Sequence, residues 1–383
     1  MDLFDKLPGG PVPIEVELDA YILPSDHGVW KVFPGRTYRF LEAVRASHHV
    51  FMDVRGLRAL PGTPFDWDNK AVISAIAGDR WDRELARAET GARPKGGAGV
   101  TKQDRKVFGF LKGLLLEAKK GDLVVLPADG YRREVLIGEL LDDPGVISFV
   151  EAKDGGETSE YAGRRVKWLP SKEKREFHEQ VIKSLHSSAA FHTISKSARQ
   201  EIYEVAYQNF ILEDLFVATF HTTKQQFTTS DNAIVSVWFN ALAATYSAQE
   251  GDPGSSIAGK SFAELGLLRS AESQRGELSI DIASPGSVLL HSAGVFALAT
   301  MALFPLMELD AATLADSPIA VKLHTVGGAG KECELVVSKA AEGIIQTLSV
   351  RRLQDACETA MRARDEATLA TSARLKKPLK TPK

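Results

Sequence analysis

The chain has 383 residues, enough for two domains, and its formal charge of −3 creates no global field that would draw it to nucleic acid or a membrane. With 44% hydrophobic and 25% charged residues it has the balance of a folded globular protein. Its two cysteines, Cys333 and Cys357, argue against a disulfide framework or a cysteine zinc site and fit a reducing cytoplasm. The opening MDLFDKLPGG is acidic and lacks the apolar run of a secretory signal.

PIEVELDAYIL opens the predicted elements. Ile14, Val16, Leu18, Ala20 and Ile22 alternate with Glu15, Glu17, Asp19 and Tyr21, the period of a half-buried strand. VWKVF and HHVFMDV read as further strands, separated by the turn signal Pro34–Gly35. A helix is expected between Asn69 and Glu89 around AVISAIA, then a glycine-rich basic loop, TGARPKGGAGVTKQD. Helical spacing returns over residues 103–119 through Phe108, Leu111, Leu115 and Leu116. DLVVLP, EVLIGEL and GVISFVEA read as strands, and KDGGETSEYAG as a loop into RRVKWLP. SKEKREFHEQVIKSLHS and SKSARQEIYEVAYQNFILEDL read as helices that close a first domain near residue 210.

The second half begins with LFVATFHTT as a strand and TTSDNAIVSVWFNALAATYSAQ as a long helix, capped by Ser230 or Asp231 and ended by EGDPGSS. From Ile282 to Met307 there is no Asp, Glu, Lys or Arg, the crude length of a membrane span. Pro285, Gly286, Ser287, His291 and Ser292 interrupt its first half, so strand, turn, strand and a buried helix over about residues 294–304 fit better. IAVKLHTVGGAGKECELVVS reads as a hairpin. A last helix over about residues 339–367 places Leu353, Cys357 and Met361 on one face. The division expected is therefore residues 1–210, residues 211–371, and a basic, disordered tail over 372–383.

GDLVVLP (121–127), IGEL (137–140), RRVKWL (164–169) and SLHSSAAFHTIS (184–195) follow GVWKVFPGRTYRFLE (28–42). Their order resembles the N-terminal recognition module of Mrr-like restriction endonucleases and related bacterial defence proteins, over about residues 25–195. The resemblance implies an α+β protein: an N-terminal mixed, PUA-like β-barrel with helices that recognises DNA or a modified base, followed by an α+β effector or oligomerisation domain with a long C-terminal helix. The chain departs from the pattern at FMDVRGL (51–57), where a glycine–tryptophan pair often stands, and no nuclease half is recognisable.

On this reading the candidate nucleic-acid-binding residues are Trp30, Arg36, Arg132, Arg133, Arg164, Arg165, Lys167 and Trp168. Arginine matches phosphate bidentately, and tryptophan offers a stacking face for an unpaired base. The competing account puts Val166 and Trp168 in the core and Arg165 and Lys167 on a solvated face. Asp142, Asp143, Glu151 and Lys153 form the only nuclease-like signature, a short pattern that chance often produces. GARPKGGAGVTK and TVGGAGKE lack the Gly-Lys-Ser/Thr of a P-loop. The histidines are scattered, His192 and His221 reading as strand-end hydrogen-bonding groups, and the cysteines read as packed. No catalytic residue, metal or cofactor is assigned. The expected function is a nucleic-acid-sensing component of a cytoplasmic, restriction-type or anti-phage defence system, non-catalytic by itself. Its partner would be DNA, and its C-terminal half would bind itself or a partner protein. The alternatives are a membrane- or assembly-linked effector using residues 282–307, and a divergent metal-dependent nuclease.

Overall fold

A computed structural model describes residues 13–62, 66–89, 97–127, 129–154, 156–251, 257–268, 277–281, 286–325 and 330–376. The expectations for the first ten residues, for most of the two glycine-rich loops, for residues 282–285 and for the tail beyond residue 376 lie outside them. The chain is mixed α+β, as expected. It divides into two compact units, residues 26–207 and residues 1–25 with 208–383. The second is a split unit into which the first is inserted. Placing Ile14–Leu23 in the first domain is therefore corrected: this strand pairs in parallel with Phe210–Leu212 and Ile319–Thr325. Local alternation fixes a strand, but not partners so distant along the chain.

In the inserted unit the sheet order is His49–Phe51, Glu157–Trp168, Glu134–Leu140, Leu123–Leu126, Val29–Val32 and Phe191–Thr193. Among the described residues of this sheet only Val29–Val32 with Leu123–Leu126 is parallel. Glu157–Trp168 pairs along its first half with Ser148–Asp154 and at its end with Glu134–Leu140, so the segment expected as a loop is a hairpin arm. Among the described residues the two outer strands of this path do not pair, so no closed barrel forms. Val124, Leu126, Leu136 and Val166 join one core with Val72 and Ile76 of helix Asn69–Glu89 and Leu111 of helix Lys102–Lys112. Leu123, Val125, Val135 and Ile137 are equally buried on the opposite face, which explains the unbroken apolar run in DLVVL. Helix Lys196–Tyr207 packs against Glu134–Leu140 on the strand side and Glu179–Leu185 on the other. The helix expected from residue 171 begins only at Glu179. Before it, Lys172–Glu173 pairs with Glu134–Leu140, and tertiary pairing overrides the local helical preference.

The sheet of the split unit runs Glu277–Asp281, Gly286–Ala293, Leu215–Thr222, Phe210–Leu212, Ile14–Leu23 and Ile319–Thr325. Helix Phe296–Leu306 buries every side chain except Pro305. The uncharged stretch thus supplies an all-round apolar core helix. Among the described residues no helix is long and apolar enough to cross a membrane. Insertion of this helix would require the core to come apart. Helix Thr229–Gln249 is capped by Thr228, with Asp231 closing a capping box, rather than by Ser230 or Asp231.

The expected hairpin after Ile319 is a strand followed by helix Gly330–Thr347. That helix seals the edge strand. Ile319, Val321 and Leu323 donate their N–H groups to Glu342 Oε1 (2.7 Å), Ser338 Oγ (2.9 Å) and Glu334 Oε1 (2.9 Å). Every second strand residue advances about 6.6 Å and every fourth helix residue about 6 Å, so the two ladders stay in step. The long C-terminal helix is two helices, Gly330–Thr347 and Val350–Asp365, with Ser349 capping the second. The buried face of the second carries Leu353, Ala356, Ala360 and Ala363, while Met361 is exposed. The expected tail begins later than residue 372, because Arg374–Leu375 pairs with Ile14–Leu23.

Candidate nucleic-acid interface

The turn between Leu123–Leu126 and Glu134–Leu140 presents Tyr131, Arg132 and Arg133 to solvent, with Tyr131 55% exposed. The chain from Lys172 to Glu176 holds this turn: Lys174 N–H donates to Arg133 O (3.0 Å) and Arg175 N–H to Tyr131 O (3.0 Å). Lys174 Nζ lies 5.4 Å from the centre of the Tyr131 ring, and His186 stands edge-on to it at 5.9 Å. Neither Arg132 nor Arg133 has an ion pair among the described residues.

Beneath this surface lies Lys31 of Val29–Val32. It is buried and donates to Ser187 O and, at 3.1 Å, to Ala189 O. Burial, and then the Lys174 ammonium, push its pKa down to about 8. The Lys174 ammonium is itself lowered by burial, and burial together with Lys174 and Lys31 lowers His186. Lys31 Nζ is 5.5 Å from the Phe33 ring, which packs at 4.8 Å on Tyr38. The loop from Gly35 to Phe40 carries positive φ at Gly35 (82°), Thr37 (54°) and Tyr38 (58°) and exposes Arg36. Two consecutive non-glycine residues in the left-handed region are strained. Asp129 acts on both Tyr38 and Lys174, which links this loop to the Tyr131 turn, and Glu134 and Glu173 face each other on the strand pair beside Arg133 and Lys174.

Among the sequence-derived candidates, Arg132 and Arg133 are exposed beside Tyr131 and Arg36 is exposed on the loop that carries Tyr38, while the others lie elsewhere. Arg164 is fully buried. Its Nη1 donates to Leu114 O (3.2 Å) and Ala118 O (2.5 Å), and its Nη2 to Asp142 O. Gly113–Glu117 is a π-helical turn, and Arg164 satisfies carbonyls that this turn leaves without intrahelical partners. Arg164 is thus a structural residue and is withdrawn as a nucleic-acid contact. Arg165 points to the other face and pairs with Asp142 at 2.5 Å, whose carboxyl this hydrogen bond holds below its ordinary range. Lys167 is exposed opposite Glu139. Trp168 donates Nε1–H to Arg45 O at 3.1 Å. Trp30 donates to Asp122 at 2.8 Å and stacks on Phe191 at 5.0 Å, so its ring face is already occupied.

Sequence reasoning missed Tyr131, Lys174, His186, Lys31, Phe33 and Tyr38. Tyr131 had a signal, an aromatic next to Arg132–Arg133 in a DG turn. Lys174 and His186 had none, since only the fold carries them to Tyr131. Among the described residues no group of three His, Cys, Asp or Glu side chains is placed to hold a metal ion. In the nuclease-like signature, Asp142 is engaged by Arg165, and Glu151 lies across the strand pair from Glu160. Compared with protein-family models, with curated proteins and with solved structures, the chain gives no match.

Proposed function

We propose that residues 26–207 form a nucleic-acid recognition unit that grips DNA through Arg36, Arg132, Arg133 and Tyr131, backed by Lys174. The reading is carried by one observation: an exposed tyrosine followed in the same turn by two exposed arginines that have no ion pair among the described residues. The arginines meet the phosphates, and the ring stacks on an unpaired base. With the resemblance to the Mrr-like module, this makes the chain a sensing component of a restriction-type defence system. The PUA-like ancestry of the sheet belongs to the same proposal, and the split unit would engage a further copy or a partner protein.

The test is fluorescence anisotropy with single-stranded oligonucleotides across a salt series. The parent should lose affinity by about 0.7 log unit per log unit of salt for each phosphate contacted. An Arg132→Glu/Arg133→Glu double variant should bind at least tenfold more weakly at unchanged melting temperature, and Lys167→Glu should bind within twofold of the parent. Equal binding by the parent and the double variant would remove the proposal.

A further inference from the structure

Beside the strained loop the inserted unit has a cleft of about 250 Å³, close to the lower end of small-molecule sites at roughly 300 Å³. Five arginines and four carboxylates line it, so it carries a surplus of positive charge. The carboxylates fix the arginines. Asp53 accepts from Arg39 (2.5 Å) and Arg83 (2.6 Å). Asp79 accepts from Arg83 Nε at 3.0 Å and forms an ion pair with its Nη2 at 2.9 Å, and Asp104 accepts from Arg80 Nε at 2.9 Å. Burial opposes ionisation of Asp104, but hydrogen bonds from Arg80 and Thr101 outweigh it and hold the carboxyl below its ordinary range. At the mouth Arg36 is exposed and has no ion pair among the described residues. Met52, Val54, Ile76 and Val107, with the Phe33 ring, supply an apolar wall.

We propose that this cleft binds a nucleoside carrying a terminal phosphomonoester. The phosphate dianion takes up the surplus charge at Arg36, beside a guanidinium lattice that needs no reorganisation, because arginine forks match phosphate oxygens. The planar base has the apolar wall to cover it. The volume admits one such unit and no duplex. Two sources share this chemistry, a free mononucleotide and the phosphorylated end of a strand. Only the second rests on the DNA-binding reading above.

The experiment uses the full chain. Calorimetric titration is run with the four deoxynucleoside 5′-monophosphates, the matching nucleosides and inorganic phosphate. Anisotropy compares 5′-phosphorylated with 5′-hydroxyl oligonucleotides. At least one nucleotide should bind saturably and at least tenfold more tightly than its nucleoside. Arg36→Ala should erase that preference. Val107→Trp, which fills the cleft, should abolish nucleotide binding while leaving 5′-hydroxyl strands bound as before. Should that variant melt early, exposed Arg36 carries the test through Arg36→Glu. A tenfold preference for 5′-phosphorylated strands identifies a strand end, and binding of mononucleotides alone identifies a free nucleotide. Retention of nucleotide binding by Arg132→Glu/Arg133→Glu would separate this site from the gripping face. The proposal is overturned if no mononucleotide binds at millimolar concentration and a 5′-phosphate makes no difference, or if nucleotide binding survives Val107→Trp or Arg36→Glu undiminished.

Discussion

Replacing Arg164 by methionine separates structural from ligand-facing arginines. The substitution removes the donors for Leu114 O, Ala118 O and Asp142 O. Each carbonyl left unpaired in a dry interior costs about 1–3 kcal/mol. Against this, a guanidinium with no carboxylate in direct contact no longer has to be held away from water, a gain that offsets part of the loss. Methionine fills most of the vacated volume and makes no cavity term of note. The balance is a destabilisation of about 3–5 kcal/mol, the range for breaking a buried charged network. For a unit of this size that lowers the melting temperature by roughly 10 °C. Arg133→Met, at an exposed position, should stay within about 0.5 kcal/mol of the parent. Urea unfolding followed by circular dichroism, with DNA affinity measured well below the transition, distinguishes the two. If Arg164→Met unfolds within 1 kcal/mol of the parent, or folds normally but no longer binds DNA, the structural assignment of Arg164 is wrong.

Lys31 gives a pH signature. Its folded pKa of about 8 lies below the ordinary lysine value, so the unfolded chain holds the proton more tightly between pH 8 and pH 10.5. The destabilisation is fully present below pH 8 and is relieved as pH rises towards 10.5. The stability of the parent relative to Lys31→Met should therefore rise by about 3 kcal/mol between pH 7 and pH 10.5, and a flat difference in paired urea titrations would refute it. Glu334→Ala with Ser338→Ala strips two of the three acceptors from the edge strand Ile319–Thr325. The double variant should lose about 2–4 kcal/mol and self-associate through the uncovered edge. Light scattering that matches the parent at equal concentration would count against that seal.

Much of this architecture can be read locally. Period two places Arg164 on the same side as Val166, so a buried Val166 already implies an inward Arg164 and an outward Arg165. Val337, Ala340, Ala341, Ile344 and Ile345 have helical spacing, and they outweigh the glycine-rich turn that suggests a hairpin. The break at Leu348 and Ser349 is legible as a cap, but only once Arg352 is known to donate to Ser349. Other features have no local signal. Nothing within Ile14–Leu23 specifies that Phe210 and Ile319 will lie beside it. The candidate interface draws on residues 31 to 186, and its cation–aromatic contacts exist only after the sheet has formed.

The interruption of the split unit has a consequence for synthesis. Ile14–Leu23 leaves the ribosome long before either parallel neighbour exists, since Phe210–Leu212 and Ile319–Thr325 follow the whole inserted unit. At roughly 5–20 residues per second, the nascent strand waits on the order of ten to forty seconds for its first partner. During that interval residues 26–207 can complete their own core, and Val16, Leu18 and Ala20 have no parallel neighbour yet to shelter them. A chaperone that recognises short apolar segments would find its best target in this chain at that moment.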